Sequence, residues 1–302
     1  MNTMRIRRVR SKLKKSAAID KHAGLKVFQP ETTSFSPENL YQMLYKHTML
    51  YIKPEGGTGG AGIIRVGLIN HSASYLLQKD TFSERWDQFD QLYGRLTHFI
   101  GKKKYLIQQG IHLLTHNKRP LDLRIMVQRN KGDAWEMTGM LARVAAPRKV
   151  VTNYHRGGTL HQVDSVLKQY ADPNRLQELK KQLEQNALLT AKHLNKHFPT
   201  LIELGIDIGL DKQLKPWILE VNTQPDKNIF RFHANKKLYS KMMSYVRYQV
   251  LKRTIKKSQF NPVPQPLSKA KLNPTAAKNV ARARPALSPA PPVPTPLLIR
   301  KD

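Results

Sequence analysis

The chain has 302 residues, and 52 Lys and Arg against 21 Asp and Glu give it a formal net charge of +31. A hydrophobic share of 40% supports a packed core and excludes wholesale disorder, and the absence of cysteine excludes disulfides, thiolate metal sites and a cysteine nucleophile. No stretch approaches the roughly 18 apolar residues of a membrane span, and residues 1–15 lack the apolar segment of a secretion signal. We therefore expect a cytoplasmic protein, and the charge favours a polyanionic partner.

The positive charge is concentrated at the two ends. Residues 1–26 contain nine basic residues and one acid, whereas residues 251–302 contain eleven basic residues and one acid. Ten of the nineteen prolines lie between residues 262 and 296, a composition typical of an extended chain without a core. We predict a basic segment at 1–9, a folded domain at 10–257 and a disordered, basic, proline-rich tail at 258–302.

The middle of the chain alternates helix and strand signals. Ser36 before Pro37 is a typical helix start, and Ser83 is predicted to cap a second helix that carries aromatic residues at a helical period. Because hairpins interleave with helices, the fold class is predicted as α+β. Helices are predicted from Pro37, from Ser83, at Pro173–His197 and at Lys236–Ile255, and strands at Met49–Lys53, Ile63–Val66, Ser74–Leu77, Tyr105–Gln108, Leu123–Gln128, Trp135–Val144, Ile206–Leu210 and Trp217–Val221.

A glycine-rich segment follows the first predicted strand, which ends near Lys53. Five of the seven residues 56–62 are glycine, so the backbone can approach a ligand closely and its N–H groups can bind an anion. The pattern G-x-G-x-x-G within it does not indicate a dinucleotide fold, because a strand rather than a helix is predicted next. We interpret the segment as a hairpin lid over phosphates; the alternative is a plain glycine-rich turn.

Two carboxylates and an amide are predicted to share one face of a later hairpin. If the chain turns at residues 213–214, Asp207 pairs with Glu220 and residue 211 with residue 216, and alternation places Asn222 beside Glu220. Ile206, Ile208, Leu219 and Val221 are then expected to point into the core. The oxygen ligands suit Mg²⁺, bound by few protein atoms together with nucleotide phosphates. The alternative is an exposed hairpin with ordinary acids on its wet face.

Charged residues also appear on the predicted strand pair near residues 122–144. Asp122 and Arg124 share one face of a strand, and Arg143 lies on the partner strand. Arginines in such positions can bind phosphoryl oxygens with two parallel hydrogen bonds. A surface salt bridge between Asp122 and one of the arginines is an equally open interpretation.

Together these motifs resemble the ATP-grasp superfamily. K-P-x-G-G-x-G-G-x-G at residues 53–62 resembles its phosphate lid, and Asp207 with Glu220 and Asn222 resembles its metal-binding D…E-x-N signature. D-x-R ending at Arg124, M-x-x-R ending at Arg143 and N-x-x-R-G-G at residues 153–158 resemble RimK-like amino-acid ligases. Over residues 10–257 the chain is similar to the YheC/YheD family of endospore coat-associated ATP-grasp proteins.

The resemblance implies an ATP-grasp fold, in which two α+β subdomains clasp ATP, without the amino-terminal domain that usually precedes it. It also implies ATP and Mg²⁺, with Mn²⁺ as a substitute, and Arg143 and Arg124 as catalytic residues. Lys14 and Lys15 remain alternatives to Lys12 as the first phosphate-contacting lysine. The implied metal ligands are Asp207, Glu220 and Asn222, and the implied cofactor-binding residues are Lys12, Lys53, Glu55, Gly56, Gly57, Thr58, Gly59, Gly60, Gly62, Gln108, Gln109, Ile111 and Asn153.

Three functions follow as hypotheses. The first is an ATP- and Mg²⁺-dependent ligase that joins a small-molecule or peptide carboxylate to an amine, or to a thiol, through an acyl-phosphate in spore-envelope maturation. The second is a non-catalytic nucleotide-binding coat or scaffold protein, because Gly205 stands where many ligases of the superfamily carry arginine. The third is a polyanion- or nucleic-acid-binding protein. In each case the basic tail could contact an anionic spore-envelope component.

Overall fold

The computed structural model describes residues 8–57, 59–69, 74–149, 152, 154 and 157–260. The chain divides into two units between residues 257 and 258, and every element below belongs to the first, apart from the last three residues of the closing helix. The domain boundaries given above remain predictions. Within the described ranges, no helix has both the length and the apolar character that crossing a membrane requires.

Two short helices, α1 (Lys12–Asp20) and α2 (Ala23–Lys26), precede the first of two antiparallel sheets. That sheet has the strand order β1-β6-β2-β3-β4-β5, and helices α3 (Pro37–His47) and α4 (Phe89–Ile100) share one apolar cluster with it. Ser36 caps α3 by accepting a hydrogen bond from the Asn39 backbone, as predicted. The strands are β1 (Thr32–Ser34), β2 (Met49–Pro54), β3 (Ile64–Ile69), β4 (Ser74–Lys79), β5 (Phe82–Trp86) and β6 (Tyr105–Gln109).

The helix predicted from Ser83 is wrong in its first part. Residues 82–86 form β5, which pairs with β4 across a tight turn at Asp80, whose φ is +53°. The helix starts only at Phe89, with Gln88 in the N-cap position. The turn provides residues 82–86 with a hydrogen-bonding partner strand, and this pairing overrides the helical spacing of their aromatic side chains.

The second sheet has the order β10-β9-β8-β11-β12, and β7 pairs with the start of β8. Its main apolar cluster contains residues of α1, α2, α5 (Val163–Leu167) and α6 (Pro173–His197). Its other face packs on a 3₁₀ turn (Asn228–Phe232) and α7 (Lys236–Phe260) through Met126, Leu141 and Phe230. The strands are β7 (Thr115–His116), β8 (Arg119–Arg129), β9 (Trp135–Val144), β10 (Thr159–His161), β11 (Glu203–Leu210) and β12 (Pro216–Asn222).

The β11–β12 hairpin keeps the predicted pairing only on one side of a bulge. Asp207 lies opposite Glu220, but Ile208 lies opposite Ile218, so Leu219 is the additional residue of β12. The predicted pairing of residues 211 and 216 is therefore wrong, and so is the predicted core position of Leu219. Ile218 takes the core position, because a bulge reverses the alternation of side chains along its strand.

Gly139 of β9 provides a test of the packing between the second sheet and α7. A Cβ atom at this position would lie 2.5 Å from Met242 Cε and 2.9 Å from Phe230 Cε1. We expect Gly139→Ala to lower the free energy of unfolding by about 1–3 kcal/mol in urea denaturation, because the added methyl group overpacks the core.

Gly94→Ala is the matched control. Gly94 lies in α4, and no atom lies within 4 Å of its Cβ position. This change should raise the free energy of unfolding by about 0.5–1 kcal/mol, because alanine loses less backbone entropy in a helix. Equal urea midpoints for Gly139→Ala and the wild type would contradict the close packing described here.

Candidate active site

A cavity of about 610 Å³ is lined by strands of both sheets. The first sheet contributes residues of β2 and β6, including Lys53 and Gln108, whereas the second contributes charged residues of β8, β9, β11 and β12. The cavity therefore brings together all three groups of residues that the sequence singles out. Its lining includes the predicted site residues Lys53, Gly59, Gly60, Gln108, Gln109, Ile111, Arg124, Arg143, Asp207, Glu220 and Asn222.

A buried network of two arginines and two aspartates lies on one wall of this cavity. Asp122 pairs with Arg143 across β8 and β9, and Arg124 pairs with Asp207 across β8 and β11. Arg143 donates to both carboxylate oxygens of Asp122, at 2.7 and 2.6 Å, and its Nη2 lies 3.0 Å from Asp207 Oδ2. Arg124 donates to both oxygens of Asp207, at 2.5 and 3.1 Å. All four residues are between 3 and 7% exposed.

This network changes the interpretation of the arginines. The salt bridge between Asp122 and an arginine exists, but it is buried rather than on the surface. Burial alone would raise the pKa of Asp207, but Arg124 and Arg143 hold it below its ordinary value. Burial opposes the charge of Arg143, yet Asp122 and Asp207 raise its pKa further above the usual range. Asp207 and Arg143 are therefore both charged at neutral pH.

The oxygen face of the hairpin fits a hard divalent cation. Asp207, Glu220 and Asn222 all line the cavity, and the bulge at Leu219 turns both Leu219 and Glu220 toward it. The two arginines use most of the lone pairs of Asp207, which leaves Glu220 and Asn222 as the more available oxygens. The described residues contain no cluster of three His, Cys, Asp or Glu suited to a metal. Glu220, Asn222 and the remaining lone pair of Asp207 instead suit Mg²⁺, which binds few protein oxygens and several phosphate or water oxygens.

Three lysines surround Glu220. Lys12 Nζ lies 3.7 Å from Glu220 Oε1, and Lys15 Nζ donates to the carbonyl oxygen of the next residue, Val221, at 2.5 Å. Lys53 Nζ donates to Gln108 Oε1, also at 2.5 Å. Burial lowers the pKa of Lys15 to about 8 and that of Lys53 to about 8, in each case against the attraction of Glu220. Glu220 thus pairs with Lys12 and attracts the two buried lysines, and a bound anion would favour their charged forms.

The beginning of the glycine loop is fixed to α1 and does not line the cavity. Glu55 accepts hydrogen bonds from Ser11 Oγ and, at 3.4 Å, from the Leu13 backbone N–H. Lys12 donates to the carbonyl oxygens of Pro54 and Gly57 at 3.0 and 3.2 Å. Among the predicted cofactor-binding residues, Thr58 and Asn153 lie outside the described residues, and Lys12, Glu55, Gly56, Gly57 and Gly62 are not among those that line the cavity.

The predicted adenine-binding residues lie on β6 and just after it, next to Lys53 and β12. Gln108 is buried, and its Nε2 lies 3.3 Å both from Thr32 Oγ1 and from the Leu219 carbonyl oxygen. Gln109 accepts from the Glu31 backbone N–H at 3.2 Å. The Gln108 amide and the Gln109 amide oxygen are thus engaged by the protein, and Ile111 joins both residues in the cavity lining.

Another part of the lining consists of residues that no sequence pattern predicts. These residues follow the E-x-N segment or come from distant elements. They are Arg8, Tyr51, Ile63, Leu113, Thr152, Tyr154, Gln224, Pro225, Asp226, Lys227, Asn228, Ile229, Tyr239 and Met243.

Comparison with known proteins identifies the family. The chain belongs to the YheC/D-like ATP-grasp family, whose model matches residues 6–248. It is 27% identical to the endospore coat-associated protein YheD of Bacillus subtilis (strain 168) over 222 residues, which cover 68% of this chain and 47% of that protein. It is also 27% identical to YheC of the same organism over 230 residues, which cover 72% of this chain and 61% of that protein.

The chain therefore spans between about half and three fifths of the length of these curated relatives. Among solved structures, D-cycloserine synthetase DcsG is similar with a TM-score of 0.50 and 12% sequence identity, over 79% of this chain and 70% of that one. Together with the family match, this likeness confirms the predicted ATP-grasp fold of the α+β class. Proteins of this fold generally use ATP and a divalent metal ion.

The buried ion-pair network predicts a large effect of Arg143→Met on stability. Among the described residues, the change leaves the buried Asp122 with Thr152 as its remaining side-chain donor, at 2.6 Å. We expect the free energy of unfolding to fall by about 3–5 kcal/mol, because an unpaired buried charge is costly. Arg175→Met, which breaks the exposed pair with Glu178, should cost under about 1 kcal/mol. Equal losses in urea denaturation would contradict the role of the network.

The lowered pKa of Lys53 predicts a pH dependence of ATP binding. Because the ammonium form is lost above about pH 8 in the free protein and phosphate binding restores it, affinity should fall as pH rises. The limiting slope is about tenfold in Kd per pH unit, since one proton is taken up. Isothermal titration from pH 7 to 9.5 measures it, and Lys53→Arg, whose charge persists throughout, should flatten the profile. A wild-type Kd independent of pH would refute this assignment.

Proposed function

We propose that this member of the YheC/D-like ATP-grasp family is an ATP- and Mg²⁺-dependent ligase that joins a carboxylate to an amine. One observation carries the proposal: Lys53, the two arginines and the Asp207–Glu220–Asn222 face line a single cavity between two sheets. A cation, an anion-binding loop and an oxygen-rich face are the groups that a magnesium nucleotide requires.

The residues fall into two groups, one proposed to bind the nucleotide and one proposed to bind the metal ion. Ile111, Gln108 and Gln109 would border adenine, Lys53 and Lys12 would contact phosphates, and residues 56–62 would form the lid. Glu220 and Asn222 would hold Mg²⁺ with a remaining lone pair of Asp207, and Mn²⁺ could replace it. When bound, the metal would offset charge on the phosphates.

The chemistry needs no nucleophile from the protein. A substrate carboxylate attacks the γ-phosphorus of ATP, the bond to the β–γ bridging oxygen breaks, and ADP leaves behind an acyl-phosphate. The amine then attacks the acyl carbon, so that a C–N bond forms, the C–O bond to phosphate breaks and a proton is released. A thiol could attack in the same way. Arg143 and Arg124 would offer the N–H groups that do not bind Asp122 and Asp207 to the transferred group, and the cavity would provide orientation.

An association with the spore envelope is the second part of the proposal. Both curated relatives are named as endospore coat-associated proteins. The net charge of +31 favours an anionic partner, and we propose an anionic envelope component rather than nucleic acid. A small-molecule or peptide carboxylate and amine would be the substrates.

Glu220→Gln tests the nucleotide and metal assignment. The change keeps the shape of the side chain but removes the carboxylate that faces the cavity. In calorimetric titrations we expect Mg²⁺ to lower the Kd of the wild type for ATP. In the variant, the factor by which Mg²⁺ lowers this Kd should be at least about tenfold smaller. Glu178→Gln, at an exposed position of α6, serves as the control. Equal heats for all proteins, with and without Mg²⁺, would refute the proposal.

A non-catalytic scaffold is the competing function. The observation in its favour is that both oxygens of Asp207 already accept hydrogen bonds from Arg124. The two functions differ in products: the ligase releases ADP together with a new amide from an amino acid, peptide or polyamine, whereas a scaffold binds nucleotide without turnover.

A further inference from the structure

Helix α1 contacts the glycine loop through several hydrogen bonds. The Glu55 carboxylate accepts from Ser11 Oγ and from the Leu13 N–H, and the Lys12 N–H donates to the Glu55 carbonyl oxygen at 3.3 Å. Ser11 is also the N-cap residue of α1, because its hydroxyl accepts from the Lys14 N–H at 3.1 Å. A negative side chain at the N-terminus of a helix is favoured by the helix dipole as well. The loop is thus attached to the first turn of α1.

The same helix contacts the metal-binding strand β12. Lys15 is 5% exposed and donates to the carbonyl oxygen of Val221, which stands between Glu220 and Asn222. Just before the helix, the Val9 N–H donates to Thr223 Oγ1 at 3.0 Å. Contacts within residues 220–222 and directly after them therefore fix the position of this strand relative to α1.

Helix α1 is itself held firmly against the second sheet. Ala18 and Ile19 are buried in the main apolar cluster, and the Ala18 carbonyl oxygen lies 2.7 Å from His193 Nε2 of α6. Gln29 Nε2 donates to Ser16 Oγ at 2.8 Å and so fixes the outer side of the helix. A displacement at one end of α1 must therefore be transmitted to the other end or break these contacts.

We propose that Glu55 and Lys15 are positioning residues that couple the glycine loop to the metal-binding strand through α1. Glu55 then acts by capping α1 and not by contacting nucleotide, and Lys15 fixes the backbone between two metal ligands. The sequence separations are 42 to 44 residues for the loop contacts and 206 for the Lys15 contact. The coupling itself needs no ligand, but its consequence for catalysis rests on the proposed function.

Hydrogen exchange of the full-length, ligand-free protein tests the coupling directly. We expect Glu55→Gln to raise amide exchange in residues 216–222, and Lys15→Met to raise it in residues 55–62, although neither change lies in the segment that responds. Lys14→Met is the matched control, because Lys14 is the exposed neighbour of Lys15 on the same helix. If each variant alters exchange only in its own segment, the proposal is wrong.

Two further measurements keep the test decisive. Ser11→Ala removes only a hydroxyl, so it provides a milder variant if Lys15→Met unfolds, and it should change exchange in residues 216–222 in the same direction. For Mg²⁺-ATP, we expect about a tenfold increase in Kd for Glu55→Gln and for Lys15→Met, and no further increase when both are combined. If the losses of Mg²⁺-ATP binding free energy in the two single variants add up in the double variant, the coupling is wrong. If the wild type binds no Mg²⁺-ATP, the proposed function is wrong, and the exchange experiment alone decides the coupling.

Discussion

The two buried ion pairs that join β9, β8 and β11 are the constraint on which the site depends. Asp122, Arg143, Asp207 and Arg124 lie on adjacent strands, and each carboxylate receives at least two hydrogen bonds. Buried charges are costly unless they are paired in good geometry. Removing one member of the network therefore leaves its partner as a buried charge without a counter-charge. The network therefore fixes the mutual register of three strands from within. The β11–β12 pairing then carries Glu220 to its position opposite Asp207.

The charge balance around the network explains why the cavity favours a phosphorylated ligand. The arginines are neutralised by their own aspartates, whereas Glu220 pairs with Lys12 and also attracts the buried Lys15 and Lys53. Burial already lowers the pKa of Lys15 and Lys53, which means that the folded protein bears a cost for keeping them charged. A polyphosphate would supply negative charge to balance these lysines. A divalent cation beside Glu220 and Asn222 would offset the surplus negative charge of the polyphosphate.

The sequence predicted those parts of the site that depend on local pattern. The pairing of Asp207 with Glu220 is confirmed, although it holds because the bulge at Leu219 offsets a turn that pairs residue 210, and not 211, with residue 216. The glycine loop after Lys53 is recognisable from composition. The bulge at Leu219 could not be predicted, because it depends on packing of both faces of β12 and not on a local preference. The contacts of Glu55 and Lys15 join residues far apart in sequence, so no periodicity reveals them. The strand at residues 82–86 was missed because aromatic spacing fits a helix and an edge strand equally well.

The amino-terminal charge has a different meaning once α1 is seen as a bridge. Lys12 and Lys15 belong to the most basic part of the folded region, yet their ammonium groups face carbonyl oxygens and Glu220 inside the site. A buried ammonium group that ends on a backbone carbonyl adds to rigidity and contributes nothing to a surface that attracts polyanions from solution. The same helix exposes Lys14 on its outer side, so neighbouring lysines serve different purposes. Net charge alone thus describes this protein poorly, because position decides which of its cations organise the site and which remain available to a partner.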